Sequence, residues 1–169
     1  DALQRLGYQL TANVLDSADV GVPQHRVRLF LVASKKAIPV ESPQKKHRPV
    51  SDVIDFTSGK WSAVHKPGRA EATLQRYENG RKAFGRRFVM PYYKSGSGKY
   101  GRAMDRPLGT VTTLDRWAVV NGDRMRMLTV DEYRKAMGFP ARYILPSRKS
   151  EAVYLLGNAV PPPVAKYVI

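Results

Sequence analysis

The stretch Gly21-Val22-Pro23-Gln24-His25-Arg26-Val27-Arg28-Leu29-Phe30-Leu31-Val32-Ala33 decides how the rest of the chain is read. Gly21-Val22-Pro23 closes a loop that opens at Asp16, and the run from Val27 to Ala33 is apolar enough for a central strand. Gln24, Arg26 and Arg28 recur at a spacing of two, which puts them on one face of an extended segment. Two guanidiniums and an amide on one face suit a phosphate, a carboxylate or a base edge. Taken alone, alternating arginines at a strand start more often mark a solvated face.

Upstream, Tyr8, Leu10, Ala12 and Val14 alternate with Gln9, Thr11 and Asn13, the period of a half-buried strand that can pair with 27–33. Asp1 to Gly7 reads as the end of a helix, stopped at Gly7. Downstream, from Ser34 to Arg102, the character changes. Lys, Arg, Gly, Ser and Pro dominate, apolar periodicity is weak, and the stretch carries more than half of the 29 Lys and Arg. Tyr77, Phe84, Phe88, Tyr92, Tyr93 and Tyr100 are interleaved with Arg81, Lys82, Arg86, Arg87, Lys94 and Lys99. Such a mixture suits nucleic acid, and it equally supplies the core of a small subdomain.

Order resumes after Arg106. Thr110–Thr113 and Trp117–Val120 read as short strands, the second followed by an Asn121-Gly122 turn. Thr129 and Glu132 form a capping box opening a helix to Met137, with Gly138 as its stop. Another helix spans about Lys149 to Leu156 and stops at Gly157, and Pro161-Pro162-Pro163 starts the last one. The short link exposes the Asn158 amide and backbone N–H groups at a helix start, a geometry suited to a carboxylate or a polar cofactor edge.

The 169 residues hold 29 Lys and Arg against 14 Asp and Glu, a net charge of +15, which points to a polyanionic partner. The mean hydropathy of −0.41 and the lack of a long apolar run exclude a spanning helix. With no signal peptide visible, a cytoplasmic, prokaryotic or phage setting is expected. The chain has no cysteine, which excludes disulfides, thiolate zinc sites and a cysteine nucleophile within it. His25, His47 and His65 lack ligand spacing, so no metal site is expected. The chain begins at Asp1 rather than Met and stops inside a helix-like pattern, so both ends read as cut.

Three islands carry chemistry together: Gln24-x-Arg26-x-Arg28, Arg106-Pro107-Leu108-Gly109-Thr110-Val111-Thr112, and Gly157-Asn158-Ala159-Val160. In this order they resemble the eighth, ninth and tenth motifs of the DNA cytosine-5 methyltransferase family. Met137-Gly138-Phe139-Pro140 matches the segment usual between the last two. The family's Phe-x-Gly-x-Gly start, its Pro-Cys nucleophile loop and its Glu-Asn-Val segment are absent, so the resemblance is to the C-terminal half.

That resemblance implies an α/β fold: the C-terminal piece of an S-adenosylmethionine-dependent, Rossmann-like methyltransferase domain plus a small, irregular, mainly β target-recognition domain. Residues 1–34 would be a catalytic-domain segment with two strands, 35–126 the recognition domain, 127–156 hinge helices, and 157–169 the return to the catalytic domain. The implied activity moves a methyl group from S-adenosylmethionine to carbon-5 of a flipped cytosine in duplex DNA.

In that scheme Arg28 touches the flipped base, Arg26 holds flanking phosphates or a partner carboxylate, and Gln24 lines the groove. Asn158, Ala159 and Val160 close the cofactor site. Ala159 stands where relatives often have serine, which puts a hydroxyl contact in doubt but not the backbone contacts. Thr73 (in the pair Thr73-Leu74), Arg81, Arg86, Arg87 and Lys94 would contact DNA, and Arg106, Thr110 and Thr112 would brace the recognition domain there. The implied partners are duplex DNA and an N-terminal half, on the same polypeptide or a separate subunit, with no membrane. Two other readings stay open: a stand-alone basic DNA-binding module, and part of an RNA cytosine-5 methyltransferase. A module would cover the apolar face of Val27 to Val32, whereas a half-enzyme would leave it open.

Overall fold

A computed structural model describes residues 2–36, 38, 43–92 and 101–168. After a short helix α1 (Ala2–Arg5), strands β1 (Gln9–Asp16) and β2 (Val27–Ser34) form the antiparallel two-stranded sheet that their alternation predicts. A 3-10 turn, Ser17–Val20, joins them, capped by the Asp16 carboxylate. The fold then builds β3 (Ser62–Ala63), α2 (Glu71–Phe84), β4 (Arg87–Pro91), β5 (Arg102–Ala103), β6 (Trp117–Asn121) and β7 (Arg124–Met127). Their five strands form one antiparallel sheet in the order β3-β7-β6-β4-β5. Helices α3 (Val130–Ala136), α4 (Lys149–Asn158) and α5 (Pro162–Val168) follow.

The five-stranded sheet is buried on both faces because β4 is apolar from Phe88 to Pro91 and β6 from Trp117 to Val120. Phe88, Met90, Ala118 and Val120 join Tyr77 and Val64 on the face covered by α2. Val89, Trp117 and Val119 point the other way, into a core shared with Val50, Leu108, Val111, Tyr133, Val153 and Leu156. The helices expected as a hinge therefore share one core with the sheet. Tyr133 is fully buried; its hydroxyl donates to Asp115 at 2.8 Å and accepts from the Trp117 amide at 3.0 Å. Burial, with Asp115 adding to it, pushes its pKa upward.

Three expectations are corrected. The basic middle contains the 14-residue helix α2, which the sequence concealed: its apolar positions are few, and Gly80 interrupts it. That glycine is required, since a Cβ there would lie 2.2 Å from the Phe88 ring. Thr110–Thr113 is not a strand: past Pro107 the segment runs beside residues 23–26 with a single parallel bridge, Gln24 to Leu108, and the side chains of Gln24, Arg26 and Trp117 bond its backbone at 110 and 111. Helix α4 does not stop at Gly157 but continues to Asn158. Gly157 is needed for close approach instead, because a Cβ would meet the Thr112 backbone at 2.3–2.4 Å. The capping box at Thr129 and Glu132 is present, and Gly138 follows the helix in the left-handed conformation.

The two-stranded sheet is packed unusually. Directly opposed residues share a face, so Leu10, Ala12 and Val14 sit with Ala33, Leu31 and Leu29. This wholly apolar face is open to solvent: Val14 is 65% exposed, Leu29 68% and Leu31 59%. The other face, which carries Phe30, packs with Val20, Val22 and Val164 of α5. No helix among the described residues is long and apolar enough to cross a membrane.

Candidate functional site at the meeting of three segments

The three islands, far apart in sequence, meet in space. Gln24 is completely buried; its Oε1 accepts from the Val111 amide at 2.6 Å and its Nε2 lies 2.9 Å from Met137 Sδ. The His25 amide donates to Leu108, the Leu108 amide to Pro23, and Thr110 Oγ1 to the His25 carbonyl. Arg26 completes the junction. Its Nη1 donates to the Val111 carbonyl at 2.9 Å and its Nη2 to the Gly157 carbonyl at 2.8 Å. One guanidinium thus ties all three islands together, satisfying two carbonyls that water does not reach. Burial, and after it the charge of Arg28, lowers the Arg26 pKa from its ordinary value.

Beside this junction lies a cleft of about 220 Å³. Arg26 and Arg28 line it on one side, Asn158, Ala159 and Val160 on the other, with Leu29 and Phe30 as apolar wall. The cleft therefore gathers the residues expected to hold the base and those expected to hold the cofactor. Arg28 is exposed at it, and the only hydrogen bond of its guanidinium among the described residues is Nη1 to the Val27 carbonyl at 2.7 Å.

Gln24 and Arg26 differ from expectation. The spacing of two predicts that they share a nucleic-acid-facing surface with Arg28, but their polar atoms are committed inside the protein. The strand begins only at Val27, so the alternation did not carry them to solvent. The link after α4 also offers fewer donors than expected. Asn158 is in the helix, the Ala159 amide bonds to Leu156, and three consecutive prolines supply no N–H.

The expected DNA contacts separate into groups. Thr73 is buried in the first turn of α2 rather than exposed. Arg81 approaches Asp123 at 3.4 Å. Thr112 donates to the Leu114 carbonyl, so Thr110 and Thr112 both use their hydroxyls on backbone. Arg106 is exposed, and its carbonyl receives the Val50 amide. Arg86 and Arg87 are exposed in a second, wider cleft. Lys94, Tyr93 and Tyr100 lie outside the described residues. Of the interleaved aromatics, Tyr77 and Phe88 are core, with Phe84 and Tyr92 packed against them.

Sequence reasoning missed the buried pair Arg126 and Glu132, 2.7 Å apart. Glu132 also accepts from the amides of Asp55 and Thr129, so the capping carboxylate doubles as a tie to the loop at 55. The capping box signalled the first role; nothing local signalled the second.

The model of the family described as C-5 cytosine-specific DNA methylase matches residues 1–169. The chain is 26% identical over 181 residues to the Type II methyltransferase M1.HphI of Haemophilus parahaemolyticus, covering 99% of this chain and 49% of that one. It is 25% identical over 168 residues to the Type II methyltransferase M.MspI of a Moraxella species, covering 97% and 38%. It thus spans less than half the length of these relatives. Among solved structures, the Entamoeba histolytica methyltransferase EhMeth shares the fold at a TM-score of 0.58 and 16% identity, covering 98% of this chain and 55% of that one.

Proposed function

Because the chain belongs to the C-5 cytosine-specific DNA methylase family, we propose that it is the target-reading, C-terminal portion of a DNA cytosine-5 methyltransferase. A separate N-terminal half, on the same polypeptide or another subunit, would supply the nucleophile. The observation that carries this reading is the apolar face of the β1–β2 sheet, uncovered beside the cleft that gathers Arg28 and Asn158. A stand-alone DNA-binding module would bury that face, since nothing else repays exposing it.

In this reading Arg28 is the base-facing cation. A target cytosine must leave the stack to be reached, and negative charge then builds toward its O2 and N3 edge as carbon-6 is attacked. A guanidinium mounted at the start of a strand is fixed before that charge develops. Arg26 is a positioning residue: it holds the Val111 and Gly157 carbonyls, and so the Arg28 strand against Asn158. Asn158 presents an exposed amide, while Leu29, Phe30 and Val160 form an apolar wall. A complete small-molecule pocket measures roughly 300–1,000 Å³, so these residues fit one wall of a cofactor site. S-adenosylmethionine, when bound there, supplies the methyl group.

The test joins the two halves. The chain alone, given S-adenosylmethionine and duplex DNA, is expected to transfer no methyl group, and adding its N-terminal half restores transfer. In the restored enzyme Arg28→Ala should lower turnover by about 10²-fold or more without loosening the assembly. Methyl transfer by the isolated chain would overturn the reading.

A further inference from the structure

The second cleft, about 790 Å³, opens where β4 begins and β6 ends, between the tip of α2 and the loop at 51–56. Arg86 and Arg87 both line it, but they are held differently. The Arg86 guanidinium makes no hydrogen bond among the described residues, and the residue is exposed. Arg87 is fixed at two points. Its guanidinium lies over the Phe56 ring, 4.5 Å from the centroid, and its Nε donates to Oδ1 of Asn121, its cross-strand partner, at 3.2 Å.

The mount is rigid behind it. Phe56 stacks on Trp61 with an interplanar angle of 11°, and Trp61 carries the Arg126 guanidinium at 4.9 Å. Arg126 is in turn locked to buried Glu132. Next to Arg87 in sequence is Phe88, fully buried.

A guanidinium with its plane and Nε fixed leaves the two Nη groups as an oriented fork. A phosphate can take that fork too, but a point charge already suffices to bind it, whereas reading two acceptors on a base edge requires the fork. The O6 and N7 of guanine in the major groove are that pair of acceptors. Asp105 lines the same cleft, and its carboxylate can accept from the exocyclic amino group of a base edge, a donor that a phosphate does not offer. We propose that Arg87 is a specificity-determining residue that reads a guanine in the recognition sequence, with Arg86 beside it contacting phosphate. This rests on the DNA-binding reading given above and adds a base and a residue to it.

Selection of bound duplexes from a randomised library, followed by sequencing, tests the inference on the full chain. The wild type should enrich a G·C pair at one fixed position. Arg87→Ala should lose that preference by about tenfold to a hundredfold while keeping binding to bulk DNA. Arg87→Lys, which keeps the charge but not the fork, should lose the same preference with the same salt dependence as wild type. Arg86→Ala should weaken all sequences equally and reduce the salt slope.

If either Arg87 variant keeps the wild-type sequence preference, the inference is wrong and the DNA reading stands. Equal weakening on every sequence would make Arg87 a phosphate contact and also overturn it. If the wild type binds A-form RNA duplex in preference to DNA, the inference and the DNA reading fall together, since the deep groove of RNA hides those edges.

Discussion

The two sheets of this molecule arrive at opposite burials. In the five-stranded sheet, both faces of β6 are covered, and Trp117, Ala118, Val119 and Val120 are buried without exception. In the two-stranded sheet, the face that carries Val14, Leu29 and Leu31 is the exposed one. The first sheet has α2 on one side and α3, α4 and the loop at 50–56 on the other. The second has a partner only for its mixed face. A closed sheet and an open one thus lie in one chain, and the difference separates what this chain stabilises by itself from what it presents to another.

The largest effect should come from the closed sheet. Val119→Asp puts a charge at a site with no polar partner and full burial, so it should cost more than about 4 kcal/mol and leave no cooperative unfolding transition in urea. A folded Val119→Asp protein with a normal transition would mean that this sheet is not the core the chain depends on.

The next effect lies at the junction between the two sheets. Arg26→Ala strands the Val111 and Gly157 carbonyls, and a loss of about 2–4 kcal/mol is expected. Arg26→Lys should recover only part, because an ammonium cannot span both acceptors with the same fork. Hydrogen exchange should quicken at 108–112 and 157–160 before the five-stranded sheet is affected. Uniform loss of protection would break the distinction between junction and sheet.

Much of this arrangement is visible in the residues, for a physical reason: it is local. The alternation 8–14, the Gly21-Val22-Pro23 turn and the capping box each act within a few positions, and the structure holds all three. What escaped depends on distant partners. Helix α2 is stabilised by packing on β4 rather than by its own pattern. Arg26 reads as a surface arginine until Val111 and Gly157 are brought to it from 85 and 131 residues away. The shortage of donors after α4, by contrast, was readable from Pro161-Pro162-Pro163 alone. The spacing of Gln24, Arg26 and Arg28 assigned them one shared face, whereas the chain turns there from a buried junction into a strand.

Acid probes the joint at lower cost. Asp16 is partly buried, and burial alone would raise its pKa. The hydrogen bonds from His25, the Arg26 amide and the Ala18 amide outweigh that, and its pKa is lowered. A carboxylate depressed in the folded state adds stability that is fully present above its unfolded pKa, about 3.9, and disappears as pH falls through the folded value. Unfolding midpoints should therefore drop below about pH 4 in wild type, and more shallowly in Asp16→Asn, which starts less stable at neutral pH. An identical acid slope in both proteins would remove Asp16 as the joint.

The smallest change in stability should come from the exposed apolar face itself. Leu29→Asp and Leu31→Asp remove side chains that are already more than half in water, so each should shift the unfolding free energy by no more than about 0.5 kcal/mol. They should reduce binding of an apolar dye, since the patch is continuous across both strands. Yet the same substitutions should abolish reconstitution with the N-terminal half, because they place a charge inside the joint sheet. Stability unchanged and assembly lost is the signature of a surface built to be covered. If instead Leu29→Asp destabilised the isolated chain as Val119→Asp does, the face would already be buried in solution, and the contrast between the two sheets would vanish.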